Sequence, residues 1–355
     1  MKLFKHLSLF AITLCILSSC NNSKPNEDDI LVGEIQSNIE PNIDSILTSY
    51  DSLFHDKGLN QKQIFNIAVI QYAYHSRLDA VYSGIEQSLS KHSDKYKFTY
   101  KVAMGDPTTN ATISKNVVKD SPNLIVTLGT GTSIAVIKET KTIPVVFSVV
   151  TDPVSTGIAD SWETPGGNKT GISDMDPFEQ QVELIKLLKP NVKNVGIVVN
   201  YSEPNCEAGM KIVKQALNKY QIPFKEVNAT NASEVAIAAK SLAAYSDVFF
   251  ISPANTVYES LGAIQKVADE KNIMVIGGDE AAVSEKGALC TYTYNFKQMG
   301  INTAKLAMCI LQYNLSPGDI PVTKPTNLYL YFNKTKAEKL GITVPQVLLN
   351  VIETK

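Results

Sequence analysis

Polar residues gather wherever a short apolar run of this chain stops. Gln71, Tyr72, Tyr74 and His75 follow the run at 64–70. Gly129, Thr130, Gly131, Thr132 and Ser133 follow 124–128, and Thr151 and Asp152 follow 143–149. Further on, Asn200, Ser202, Glu203 and Asn205 follow 195–199, Ser252, Asn255 and Thr256 follow 248–251, and Asp279 and Glu280 follow 274–276. Hydroxyls, amides and carboxylates of this kind can hydrogen-bond a small polar molecule. The Gly129–Ser133 loop opens a helical segment and can offer backbone N–H groups to an anion. Each residue also has an ordinary explanation, since Thr130, Ser202 and Asn255 are good helix N-caps that need no ligand. Together they point to a site, because a tight strand-to-helix loop needs only one capping group.

Catalytic chemistry has little to stand on. The chain has no GxSxG, HExxH or GxxxxGK[ST] motif, and the loop at 129–133 lacks the third glycine of GxGxxG. Asp152, Asp174 and Asp279 are acids with no nucleophile and base to pair with, so no catalytic residue and no cofactor are assigned. His6, His55, His75 and His92 never fall at metal-ligand spacing. With 33 basic against 35 acidic residues the net charge is −2. Nucleic acid therefore has no electrostatic reason to bind. Arg77 is the only arginine.

Those loops must be held by the elements between them. From residue 64 onward short apolar runs alternate with helical segments of ten to fifteen residues, the grammar of a parallel sheet covered on both faces. The grammar repeats after a turn-rich stretch at 163–171, which reads as a loop into a hinge. Two doubly wound parallel-sheet lobes are expected, one from 64–172 with about 288–325, the other from 173–287 with about 326–355. The strand at 289–294 and the helix after it are expected to return to the first lobe. In open α/β sheets ligands bind beyond the carboxyl ends of the strands, where these polar loops lie.

The N-terminal part reads differently. Lys2 and Lys5 precede an apolar run at 7–17 that ends in Leu17, Ser18, Ser19 and Cys20. This is the pattern of a signal peptide over 1–19, too short to span a bilayer, and it makes Cys20 the expected lipidation site. Acyl chains there would tether an exported protein to a bacterial membrane. Residues 20–63 read as a polar tether, with Ile39, Ile43, Ile46, Leu47 and Tyr50 on one stripe of a short helix. Cys206, Cys290 and Cys309 form no disulfide framework.

Several motifs follow one order: IPVVFSVVTDPV at 143–154, PGGNKTGISDM at 165–175, VGIVVNYSEPN at 195–205, Gly277, Gly278 and Asp279, and AEKLGI at 337–342. In these the chain resembles the tryptophan/tyrosine-type substrate-binding proteins of ABC transporters. The resemblance implies a type I periplasmic-binding-protein fold with three hinge crossings, no catalysis, and permease and ATPase partners. The implied ligand is a small polar molecule, an amino acid, with aromatic amino acids among those the family takes. The implied cleft is lined by Thr130 and Thr132, by Thr151, Asp152, Ser173 and Asp174 near the hinge, and by Asn200, Glu203, Asn205, Asn255, Thr256 and Asp279. An amino-acid carboxylate is expected at the helix start of Thr130 and Thr132, the ammonium at Asp279 or Asp152, and Tyr72 or Tyr74 against the side chain. Residues 73–79 read AYHSRLD where the family usually has F-V-E-H-P-x-L-D, and Asn295 stands where an acid is common. Arg77 is expected to be peripheral. A ligand-sensing receptor of the same fold and an exported α/β enzyme are the alternatives.

Overall fold

The computed structural model of the chain describes residues 30–36, 45, 46, 48, 63–325 and 327–353. One sheet is wholly parallel and built from β2 (Phe65–Gln71), β3 (Tyr96–Val102), β4 (Leu124–Leu128), β5 (Val145–Ser148) and β6 (Lys169–Ile172). Its strand order is β3-β2-β4-β5-β6. β4 and β5 are buried along their whole length, as continuous apolar strands covered on both faces must be. Helices α1 (Ser76–Ser90), α2 (Pro107–Lys119) and α3 (Thr130–Glu139) follow β2, β3 and β4. The stretch read as a turn-rich loop ends in β6. Gly171 is there for proximity, since a Cβ on it would lie 2.0 Å from the Phe147 carbonyl oxygen.

The second sheet has seven strands. Its parallel part is β7 (Val195–Val199), β8 (Phe224–Asn228), β9 (Val248–Ile251), β10 (Met274–Ile276) and β11 (Cys290–Tyr294). Between these strands run α4 (Phe178–Leu188, before β7), α5 (Pro204–Lys219), α6 (Ala232–Ala243), α7 (Asn255–Glu259), α8 (Leu261–Lys271) and α9 (Glu280–Ser284). β12 (Asn327–Asn333) runs antiparallel to β11 on one side and to β1 (Ile30–Gln36) on the other. The chain ends in α11 (Lys334–Lys339) and α12 (Gln346–Glu353), and α12 packs on β1.

Two sequence expectations need correction. The strand expected to return to the first lobe, β11, stays in the second sheet between β10 and β12. Its side chains find their partners in that lobe and in the crossing after β6. Thr291 and Thr293 donate to the Gly278 carbonyl at 2.9 Å and to Asp176 Oδ1 at 2.7 Å, while Cys290, Tyr292 and Tyr294 enter the core. The crossing to the first lobe comes with the following helix, α10 (Phe296–Tyr313), which packs on α1, and the residues after it stay there up to Thr323, beside β6. There a Cβ on Gly300 would sit 2.0 Å from the Val81 carbonyl oxygen, so the two helix backbones touch and α10 moves with that lobe. The second correction concerns the tether: seven of its residues are β1, at the sheet edge beside β12. The short helix lies outside the described residues, except for helical Ser45, Ile46 and Thr48. Cys20 lies outside them too.

The described chain thus passes between lobes four times, once more than expected: from β1 to β2, after β6, after β11 and before β12. Two of the crossings are bonded to each other. Ser173 N donates to Thr323 O at 2.8 Å, and Thr323 N to Gly171 O at 3.1 Å. The residues beyond β6, at 173–177, therefore form the floor of the cleft.

Candidate functional site

The strand ends of both lobes meet around a small enclosed space. Lobe 1 lines it with His75, Arg77, Thr130, Val149 and Thr151, and Asp174 lies on the crossing after β6. Lobe 2 contributes Asn205, Pro253, Asn255 and Tyr258. The cavity measures ≈ 10 Å³, about the room one water molecule requires. In this geometry the lobes are closed on each other with room for a single water, so a ligand of amino-acid size is accommodated only when they part.

Two helices point bare N-termini into this region. His75 precedes α1 and Gly129 precedes α3 as cap residues, and neither bonds its helix through a side chain. The orphan N–H groups carry the positive end of the helix dipole, a setting suited to an anion. Beside them the Thr130 hydroxyl is buried with no protein partner, as are Arg77 Nε and His75 Nδ1. α7 differs, because its N-terminus is already filled. Glu203 accepts from the backbone N–H groups of Asn255 at 2.7 Å and Thr256 at 3.0 Å, and from their side chains at 2.6 Å each.

Arg77 is the charged centre of the floor. Its Nη2 donates to Asp176 Oδ2 at 2.6 Å and to the Gly278 carbonyl at 2.8 Å, and Nη1 lies 3.4 Å from Asp174 Oδ2. The rings of Tyr258 and Phe296 flank it, with Cζ 4.4 and 4.6 Å from their centroids. Burial lowers the Arg77 pKa, but the surrounding Asp176, Tyr258, Asp174 and Asp279 more than reverse that, and the guanidinium stays charged. Asp174 is bonded loosely, since its other contact, from Thr151 Oγ1, is 3.3 Å long. Burial pushes its carboxyl up to about 6 in spite of Arg77. Asp174 is therefore an under-paired acid in the cavity wall.

A family model described as ABC transporter substrate binding protein matches residues 66–354. The chain belongs to the ABC transporter substrate-binding proteins. It is 31% identical over 291 residues to the tyrosine-binding protein of Clostridioides difficile (strain R20291), covering 81% of this chain and 84% of that one. A crystal structure of a conserved domain protein from Vibrio cholerae O1 biovar El Tor is 35% identical, with a TM-score of 0.77 over 81% of this chain and 98% of that chain. An ABC domain from Streptococcus pneumoniae, solved in complex with L-Trp, is 28% identical with a TM-score of 0.76, over 82% and 99% of the two chains. The architecture is that of type I periplasmic binding proteins.

In this substrate-binding protein the residues singled out in the sequence fall into three groups. Thr130, Thr151, Asp174, Asn205 and Asn255 stand in the cavity wall. Glu203, Asn200 and Thr256 sit just behind it in one network, where Asn200 Nδ2 reaches Glu203 Oε1 at 3.2 Å and Thr256 Oγ1 at 3.0 Å. The remainder are turned away or engaged elsewhere. Thr132 donates to Asn110 Oδ1 at 3.0 Å. Tyr72 donates to the Gly105 carbonyl at 3.1 Å, and Tyr74 is exposed. Ser173 accepts from Met175 N and donates to the Thr151 carbonyl, both at 3.0 Å. Asp152 Oδ1 accepts from Val154 N at 3.1 Å and Ser155 N at 3.0 Å, the job of a loop cap.

Asp279 is the clearest departure. Its Oδ1 caps α9 by accepting from Ala282 N at 2.9 Å, and its Oδ2 accepts from Ser76 Oγ. It faces an outer groove of ≈ 510 Å³ shared with Tyr74 and Ser76, and does not line the cavity. Sequence reasoning passed over Arg77, His75 and Tyr258 as site residues. For the first two a signal was present, since both directly follow a strand and Arg77 is the only arginine. For Tyr258, one turn into α7, none was.

Proposed function

We propose that this protein captures an α-amino acid with an aromatic side chain between its lobes and delivers it to an ABC permease, without turning it over. The observation that carries this reading is the pairing of uncapped helix N-termini and the free Thr130 hydroxyl on one side with the under-paired Asp174 on the other. A carboxylate at the first and an ammonium at the second would satisfy every charge that binding removes from water. Asp174 replaces Asp279 and Asp152 in the ammonium role, because their oxygens already serve helix and loop caps. Val149, Pro253 and Tyr258 provide apolar wall for the side chain. The aromatic preference is supported by relatives whose names record tyrosine and L-Trp. Calorimetry with L-tyrosine, L-tryptophan, tyramine and N-acetyl-L-tyrosine tests the reading. We expect heat of binding from the two free amino acids alone; binding by none of the four, or equal binding of tyramine, would sink it.

The same proposal places the protein outside the cytoplasmic membrane, exported by residues 1–19 and held by lipid at Cys20. The leader pattern supports this, and no helix among the described residues is long and apolar enough to cross a membrane. Cys20→Ser should move the protein from the membrane fraction to the soluble one or stop its maturation. Unchanged anchoring of wild type with an unmodified Cys20 would remove the lipid from the account.

A further inference from the structure

His75 reaches across the cleft from lobe 1. Its Nε2 lies 3.0 Å from Asn255 Oδ1, and its ring stacks on Tyr258 with centroids 5.4 Å apart. Which ring nitrogen carries the proton follows from the residues behind Asn255. Glu203 Oε2 lies 2.7 Å from Asn255 N and 2.6 Å from Asn255 Nδ2. A carboxylate only accepts hydrogen bonds, so the amide nitrogen of Asn255 must face Glu203 and its oxygen must face His75. That oxygen also only accepts, so Nε2 of His75 must carry the hydrogen. In a neutral imidazole the other nitrogen is then a lone-pair acceptor. Burial favours the neutral ring and lowers the His75 pKa to about 4.

Nδ1 is therefore an acceptor in the cavity wall, buried and without a partner in the protein. The other unpartnered atoms there, Thr130 Oγ1 and Arg77 Nε, can both donate. We infer that His75 is a specificity residue whose Nδ1, fixed as an acceptor by the Glu203–Asn255 relay, takes an N–H of the ligand's primary ammonium beside Asp174. This rests on the amino-acid reading above and adds to it. The relay starts in lobe 2 and ends on a lobe 1 residue, so the tautomer is enforced only where the lobes meet. A ligand lacking an N–H at this point would leave the buried lone pair of Nδ1 unmatched, and such sites discriminate strongly against analogues without the donor.

Two substitutions separate the two nitrogens. Asn at this position carries its amide oxygen near the place of Nδ1 but cannot reach Asn255. Gln carries its amide nitrogen near the place of Nε2 and keeps the interlobe bond, but has no acceptor at the Nδ1 position. His75→Gln should weaken L-tyrosine binding tenfold or more, and His75→Asn should recover most of that loss. Nitrogen-15 spectra of the wild-type histidine rings supply a readout that packing alone would not move. At neutral pH the His75 signal, assigned by its loss in His75→Gln, should be that of the Nε2–H tautomer. Adding L-tyrosine should shift Nδ1 and leave Nε2 in place. An Nδ1–H tautomer, or a Gln variant that binds like wild type, overturns the proposal. So does equal loss in both variants with an unmoved Nδ1 signal. If wild type binds no amino acid, the functional reading fails on its own, and the ring spectra of the protein alone still decide the acceptor.

Discussion

Arg77→Ala should cost the folded protein about 3–5 kcal/mol, the range seen when one partner of a buried ion pair is removed. The guanidinium is 2% exposed, and its loss strands Asp174, Asp176 and the Gly278 carbonyl inside the cleft floor. The deficit should depend on pH in a defined direction. Burial raises both acids even with Arg77 present, and without it they rise further. An acid whose folded pKa is raised favours folding when protonated, and that stability is lost as pH rises through the folded value. The variant should therefore fall furthest below wild type near pH 8 and recover part of the difference near pH 5. Arg77→Lys keeps the charge but not the planar fork that serves two acids and a carbonyl at once, and should fall between the two. Urea unfolding at both pH values is the measurement. A variant midpoint equal to wild type at pH 8 would show that the arginine does not hold the floor together.

Asp174→Asn should leave the fold largely intact, because Asp176 still pairs with Arg77 at 2.6 Å, but should weaken amino-acid binding severely. Truncating one side of a buried charged hydrogen bond costs about 2–5 kcal/mol, so the loss should be roughly thirtyfold or greater. pH provides a second signature. The carboxyl is held up to about 6 by burial, partly offset by Arg77. An ammonium binds its ionised form, so wild-type affinity should climb as pH rises from 5 to 7 and then level off. The ligand's own charged groups do not titrate in that interval. Glu259 at the lobe seam, pushed up to about 7 chiefly by burial, could contribute a slope of its own, so the Asn variant decides the source. Calorimetry across this pH range should give a flat profile for Asp174→Asn. If the slope survives the substitution, Asp174 is not the ammonium partner.

Much of the architecture was legible because it is written in local patterns. Continuous apolar runs such as those of β4 and β5 mark buried parallel strands, and the loops after them had to face a cleft. That placement pointed to Thr130, Thr151, Asn205 and Asn255, and the family resemblance added Asp174; all five stand in the cavity wall. What failed was what depends on distant partners. Nothing within Ile30–Gln36 reveals that Asn327–Asn333 lies alongside it, and nothing within Cys290–Tyr294 reveals which lobe supplies its neighbours. Asp279 and Asp152 lie outside the cavity wall for a different reason. A short acid at a strand end suits a helix or loop cap as well as a ligand, and only the bonded neighbours tell the two apart. Arg77 was undervalued because a long side chain can carry its charge several ångströms from its backbone position, here into a floor built by the opposite lobe and the hinge.

The placement of β1 also orders events in time. Among the described residues it pairs only with β12, and β12 lies between it and β11. The first described strand to leave the ribosome must therefore wait for the last described one before it has this partner. Until residues 327–333 have emerged, the β11 side of the second sheet is an open edge and β1 is an unpaired apolar segment, the combination that invites wrong pairing between chains. Lobe 1 waits less, since its five strands lie within 65–172 and only α10 and the segment through Thr323 arrive late. Synthesis from the N-terminus should thus produce a nearly formed lobe 1 first, with lobe 2 sealed only by the final segment. A contact this far apart in sequence closes slowly, which would make the sealing of that edge the step most exposed to aggregation.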